Sequence, residues 1–294
     1  MRKSFYKIII SLIVLCSSFN AFSINYDSTL QVIETKKGFQ FFIKNKPVVI
    51  DSIETRLIRR IEFGNTITEL PNKVLSFIYV NDIIINKAKD PNILIKIFKN
   101  FGELEVIKFR CTGNLDIANL DIALICPKLN YLDLSARCIT NLPEKFGGNK
   151  LKFLYLSGVE DNIWELNKGI EEVSLIGKIN NVDFFNTDLD YLSLKYFEFR
   201  QKKGPEFNFF KIPKSIEVLS IDRISSCGVC KVSDLLRLQM LQEIYILRKP
   251  SHRCLSHLNQ LPNLKKVGII RLIPLRLNRT IKRSNDLMYS VEFL

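Results

Sequence analysis

The chain is poor in the residues from which most active sites are assembled. It has only two histidines in 294 residues. It contains no HExxH helix, no GxSxG elbow and no Gly-rich phosphate loop, which removes the common signatures of zinc hydrolysis, serine acyl transfer and nucleotide binding. Acid pairs such as Glu171-Glu172 are adjacent. On a strand, neighbouring side chains point to opposite faces, so such a pair cannot act on one bond. Basic residues outnumber acidic ones, 43 to 30, for a net charge of +13, yet no run of four or more basic residues occurs. Lys and Arg scattered among Asp and Glu read as a solvated surface, not as a nucleic-acid interface. No stretch reaches the roughly 20 apolar residues that a membrane helix needs. A non-enzymatic protein without cofactor, nucleic-acid partner or mature membrane span is the expectation.

What is present begins with residues 1–23, MRKSFYKIIISLIVLCSSFNAFS. A basic start (Arg2, Lys3, Lys7), an apolar run from Ile8 to Cys16 and the small residues Ala21 and Ser23 have the three-part layout of a secretory signal. Leu15 is too bulky for the residue before a lipid-modified Cys16. Cleavage after Ser23 and a secreted or cell-envelope protein are expected.

The most informative stretch is Leu129–Pro143, LNYLDLSARCITNLP, in which Leu129, Leu132 and Leu134 are spaced LxxLxL. The same spacing recurs at Leu104–Ile107–Phe109, Leu151–Leu154–Leu156, Ile170–Val173–Leu175, Leu189–Leu192–Leu194, Ile216–Leu219–Ile221, Leu241–Ile244–Ile246 and Leu264–Val267–Ile269. Weaker copies stand at Ile58–Ile61–Phe63 and Leu75–Ile78–Val80. The intervals are uneven: Leu75 follows Ile58 by 17 residues and precedes Leu104 by 29, while Leu189 follows Ile170 by 19 and precedes Ile216 by 27. One unit of this kind cannot bury its own leucines, so copies must stack.

The pattern resembles the leucine-rich repeat family over about residues 53–276 and implies its fold, an α/β solenoid with a curved parallel sheet, a short-helical convex side and about ten repeats. The Asn or Cys that ladders the family's post-strand loop is replaced by Arg137 and Cys138 in the central repeat. Residues 24–52, with strand-like runs at Leu30–Ile33 and Phe39–Ile43 around Lys36-Lys37-Gly38, read as a hairpin N-terminal cap. Residues 277–294 read as a C-terminal cap, with Asn278-Arg279-Thr280 a glycosylation acceptor only in a host that glycosylates. Apolar residues at helical spacing predict short helices over 90–101 and 233–241.

Stacked strands align their outward residues into columns. At the second and fourth offsets these gather Phe77, Tyr79, Tyr131, Asp133, Phe153, Tyr155, Tyr191 and Tyr245. Rings exposed in a cluster favour contact with another protein. They also simply suit strands. The family resemblance likewise implies a protein ligand on the concave face, bound by a monomer. An inert envelope scaffold is the alternative.

Both histidines fall in one corner with three cysteines: Cys227, Cys230, His252, Cys254 and His257. Cys227-Gly-Val-Cys230 has thioredoxin spacing, but the repeats around it argue against that fold. The corner leaves open a zinc site, a disulfide such as Cys230 to Cys254, or unpaired thiols. Cys111 and Cys138 fall at nearby offsets of adjacent repeats, and Cys126, before Pro127, reads as buried.

Overall fold

The computed structural model describes residues 29–54, 57–118, 122–143, 150–160, 166, 169–179, 193–201, 212–221, 236–247, 258–271 and 288–293. It opens with β1 (Thr29–Thr35), β2 (Gly38–Ile43) and β3 (Lys46–Val48), an antiparallel meander. The first turn uses Gly38 at φ +113. The second places Lys44 and Asn45 at φ 50 and 61, the pair of positive φ values that a two-residue type I′ hairpin requires. The hairpin expected from the sequence is therefore present. Its first strand then pairs in parallel with β4 (Arg60–Ile67), joining the meander to the repeats.

From β4 the chain climbs a single parallel ladder: β5 (Asp82–Ala88), β6 (Val106–Cys111), β8 (Tyr131–Thr140), β9 (Phe153–Val159) and β10 (Glu172–Gly177). It continues through β11 (Tyr196–Gln201), β12 (Val218–Ile221), β13 (Glu243–Ile246), β14 (Lys266–Arg271) and β15 (Met288–Phe293). A short β7 (Asn114–Asp116) pairs with the far end of β8. The result is a parallel β-solenoid of about six turns at a spacing of about 23 residues. The strands beyond β10 prolong its sheet, although most of their connecting segments lie outside the described residues. β15 falls in the segment read as a C-terminal cap, where it adds one more parallel strand.

One inward column shows why the stack holds. Ile61, Ile83, Ile107, Leu132, Leu154, Val173, Phe197, Leu219, Ile244 and Val267 are paired in register from strand to strand. Each is at most 1% exposed. Burying one such side chain contributes about 1.5–3 kcal/mol, and each does so only because its neighbours above and below are in place.

The structure corrects the expected fold class. Among the described residues α-helix is confined to α1 (Asn92–Asn100) and the four-residue α2 (Ile122–Ile125), with short 3-10 turns at Ile50–Ser52 and Asn72–Ser76, so the protein is mostly strand and not α/β. The return segment at α1 carries apolar residues at three- and four-residue spacing, and it buries Ile93, Leu94, Ile97 and Phe98. Of the second expected helix, residues 233–235 lie outside the described residues, and 239–240 form a turn.

Two repeats are also out of phase with the sequence reading. Asp82 pairs with Arg60 and Val106, which makes Val80–Ile83–Ile85 the second unit. Tyr196 pairs with Glu172 and Val218, which makes Leu194–Phe197–Phe199 the seventh. Neighbouring strands then begin 19 to 25 residues apart, and the 17/29 and 19/27 irregularities disappear.

Candidate functional site: the outward face of the parallel sheet

Side chains that alternate with the buried column point away from the core. Two columns result. One runs Arg60, Asp82, Val106, Tyr131, Phe153, Glu172, Tyr196, Val218, Glu243, Lys266; the other runs Glu62, Ile84, Lys108, Asp133, Tyr155, Ser174, Glu198, Ser220, Tyr245, Gly268. Aromatic residues gather on β8 to β11. The Tyr131 ring lies 5.9 Å from Phe153 and 5.3 Å from Tyr155, both tilted at 36°. Lys108 Nζ stands 5.0 Å over Tyr131. These rings are half-buried, each covered on one side by its neighbours and open on the other.

Carboxylates are threaded through the rings. The Tyr155 hydroxyl donates to Glu172 Oε2. Burial pushes the Glu172 carboxyl above its ordinary range; the Tyr155 hydrogen bond pulls it down and the Glu171 charge pushes it further up. Burial also raises Asp133, against the lowering pull of Arg110 and Lys108. Tyr155 and Tyr196 are both held well above the usual phenol range, chiefly by burial and secondarily by the carboxylates beside them. Glu198, 9% exposed, accepts from the Ser174 and Ser220 hydroxyls on the flanking strands, and Arg200 Nε lies 2.6 Å from it. The two serine hydrogen bonds to Glu198 tie β10, β11 and β12 together.

The two ends of the face differ. Toward the N-terminus Arg60 lies 3.4 Å from the buried Asp82 and 4.0 Å from Glu62. Toward the C-terminus Tyr245 lies flat over Gly268: a β-carbon there would come within 2.5 Å of the ring. Its hydroxyl donates to Glu243 and accepts from Lys266 Nζ at 2.8 Å.

Of the residues expected on this face, Tyr131, Asp133, Phe153 and Tyr155 form one cluster. Tyr245 belongs to the face but is 6% exposed and committed to Lys266 and Glu243. Phe77 is a correction: it is 1% exposed, in the core, because the true second unit starts at Val80. Tyr79 is another: it precedes β5 in a turn, with the Arg59 guanidinium 5.4 Å over its ring. Tyr191 lies outside the described residues, and Tyr196 occupies the position assigned to it. Tyr196 was missed because Leu194 can close a match begun at Leu189 as well as open the next; the alternation in Leu194-Lys-Tyr-Phe-Glu-Phe199 was the available signal.

Cys227, Cys230, His252, Cys254 and His257 lie outside the described residues, as does the segment 1–28. Among the described residues there is no group of three metal-ligating side chains, and no helix is long and apolar enough to cross a membrane. Cys111 and Cys126 are free thiols. A separate recess of about 380 Å³ lies between Phe39, Phe41, Ile50 and the Glu69–Lys73 segment. No protein-family model matches the chain, and a search of the curated proteins returns no match.

Proposed function

We propose that the chain is a leucine-rich-repeat-type protein, exported by its N-terminal segment, that binds another protein on the outward face of its parallel sheet and catalyses nothing there. The observation that carries this is the Tyr131–Phe153–Tyr155 cluster, which leaves half-buried rings on a flat strand surface where packing of the fold does not require them. Rings held rigid by neighbours supply contact area at low entropic cost. The repeat spacing, the LxxLxL pattern in Leu129–Leu134 and Leu151–Leu156, and the parallel ladder support the family reading. The alternative, an inert envelope scaffold, predicts that nothing docks on this face.

The test places a photo-crosslinking residue at Ser135, at the end of the face, and at Lys99, on the exposed side of α1. In cells that produce the protein, a discrete adduct is expected from position 135 and not from 99. The pair Tyr131→Ala and Tyr196→Ala, combined in a folded variant, should abolish it. Equal labelling from both positions would remove the proposal. Sequencing the N-terminus of the mature protein tests export: a start at Ile24 is expected.

A further inference from the structure

At the centre of the outward face, rings surround one carboxylate. In the first column Glu172 stands between Phe153 and Tyr196, paired directly with each, and Tyr131 follows beyond Phe153. Neighbouring strands lie about 4.8 Å apart, so these four side chains are consecutive rungs. Tyr155 stands beside them in the second column and holds Glu172 through its hydroxyl.

The neighbouring acids are matched by cations and Glu172 is not. Glu198 has Arg200 at 2.6 Å, Asp133 has Arg110 and Lys108 for neighbours, and Glu171 has Lys152 at 2.8 Å. Among the described residues no Lys or Arg pairs with Glu172. The adjacent acid, Glu171, adds negative charge beside it. A carboxylate between aromatic faces presents what a guanidinium needs: two acceptor oxygens in a plane and ring surfaces on which the flat cation stacks. An ammonium would use the charge but gain less from the rings.

Resting on the face-binding reading above, we infer that the protein partner lays an arginine side chain against Glu172 among Phe153, Tyr155 and Tyr196. Lys108, over Tyr131, and Arg200, beside Glu198, stand to either side.

The test uses fluorescent tetra-arginine, tetra-lysine and tetra-glutamate peptides and measures anisotropy with the full chain. Because the chain carries +13, unspecific attraction favours the glutamate peptide. The inference requires the arginine peptide to bind the wild type about tenfold more tightly than the lysine peptide. Glu172→Gln keeps an acceptor for the Tyr155 hydroxyl and removes the charge, and should weaken the arginine peptide about tenfold, the scale of one charged hydrogen bond. Equal arginine binding by wild type and Glu172→Gln, or lysine binding as tight as arginine binding, overturns the inference.

Should Glu172→Gln fail to fold, a pH series on the wild type replaces it. Arginine binding should fall on acidification as Glu172 takes a proton; a flat response from pH 7 to pH 4 counts against the inference. The crosslink separates the two readings. An adduct from position 135 that survives Glu172→Gln but not Tyr131→Ala with Tyr196→Ala sinks the arginine and keeps the face. No adduct at all sinks the face.

Discussion

Gly158 and Gly177 occupy the same corner of successive turns, where the strand ladder slips register. Gly158 has φ +94, and a β-carbon there would meet Ala136 O at 2.0 Å; one at Gly177 would meet Val159 O at 2.0 Å. Backbone oxygen cannot move aside as a side chain can. Gly158→Ala should therefore cost about 2–4 kcal/mol in urea unfolding, from strained φ together with overlap. Gly38→Ala is the comparison: φ is +113, but nothing lies within 4 Å, so only the conformational part is lost, about 1 kcal/mol. Equal losses at the two sites would remove the overlap from the explanation. Cys126 offers a second residue-level test. It is buried, bonded through Sγ only to Phe101 O, and burial pushes its thiol from 9.0 up to about 12. The unfolded thiol gives up its proton near 9.0 while the folded one keeps it. Stability is therefore full below that pH and declines as pH rises through the window up to about 12. By pH 10 the loss from this one group is about 1.4 kcal/mol. Cys126→Ala should flatten the stability profile between pH 7 and 10 by that amount, whatever it costs at pH 7. An unchanged slope would show that the thiol is not the source.

At the scale of the strand, phase decides which side chains are core. The sequence allows Leu75–Ile78–Val80 or Val80–Ile83–Ile85 as the second unit, and the structure adopts the second. Ile78 is 58% exposed and Ile83 is 1% exposed. Ile83→Ala should then cost about 2–5 kcal/mol, while Ile78→Ala should stay within about 0.5 kcal/mol. Thermal denaturation of the two variants reads this directly, and reversed magnitudes would restore the other phase. The same comparison explains what was legible. Eight of the units could be placed from residue spacing alone, because apolar residues at offsets 0, 3 and 5 leave one register that buries them all. Two could not. Val80 and Leu194 can each close one LxxLxL match or open the next. The uneven intervals carried the correction, since a stacked turn has little freedom in length. Helix content was over-read because return segments vary in a solenoid while its strands cannot. At the candidate site, Tyr131, Asp133, Phe153 and Tyr155 followed from strand alternation. The isolation of Glu172 did not, because which carboxylates find a cation depends on side-chain reach across neighbouring strands.

A solenoid lacks a closed core, so its stability is set by contacts between neighbouring turns and by what covers the ends. Here the N-terminal end is covered by the β1–β3 meander, which lays Leu30 and Val32 in register on Ile61 and Phe63, all fully buried. The joint is fastened by side chains. Asn65 Nδ2 donates to Glu34 O at 2.6 Å and its Oδ1 accepts from Glu34 N at 3.0 Å, replacing one residue's worth of strand pairing. The Glu34 carboxylate accepts in turn from Thr68 N at 2.6 Å and from the Thr68 hydroxyl. The outermost strand is only three residues long and contains Pro47, which shortens and blunts the edge against pairing with another copy. Deleting residues 1–52 would strip this cover and present Ile61 and Phe63 to water on a long unpaired edge. Because coupling in a stack is between neighbours, the damage should be graded along the chain. Hydrogen exchange on the truncated protein should show β4 and β5 losing most of their protection and β9 and β10 keeping most of theirs. Asn65→Ala should produce a weaker version of the same gradient. A uniform loss from β4 to β10 in either variant would mean that the turns unfold as one cooperative block, and that the meander stabilises the whole sheet instead of its first turns.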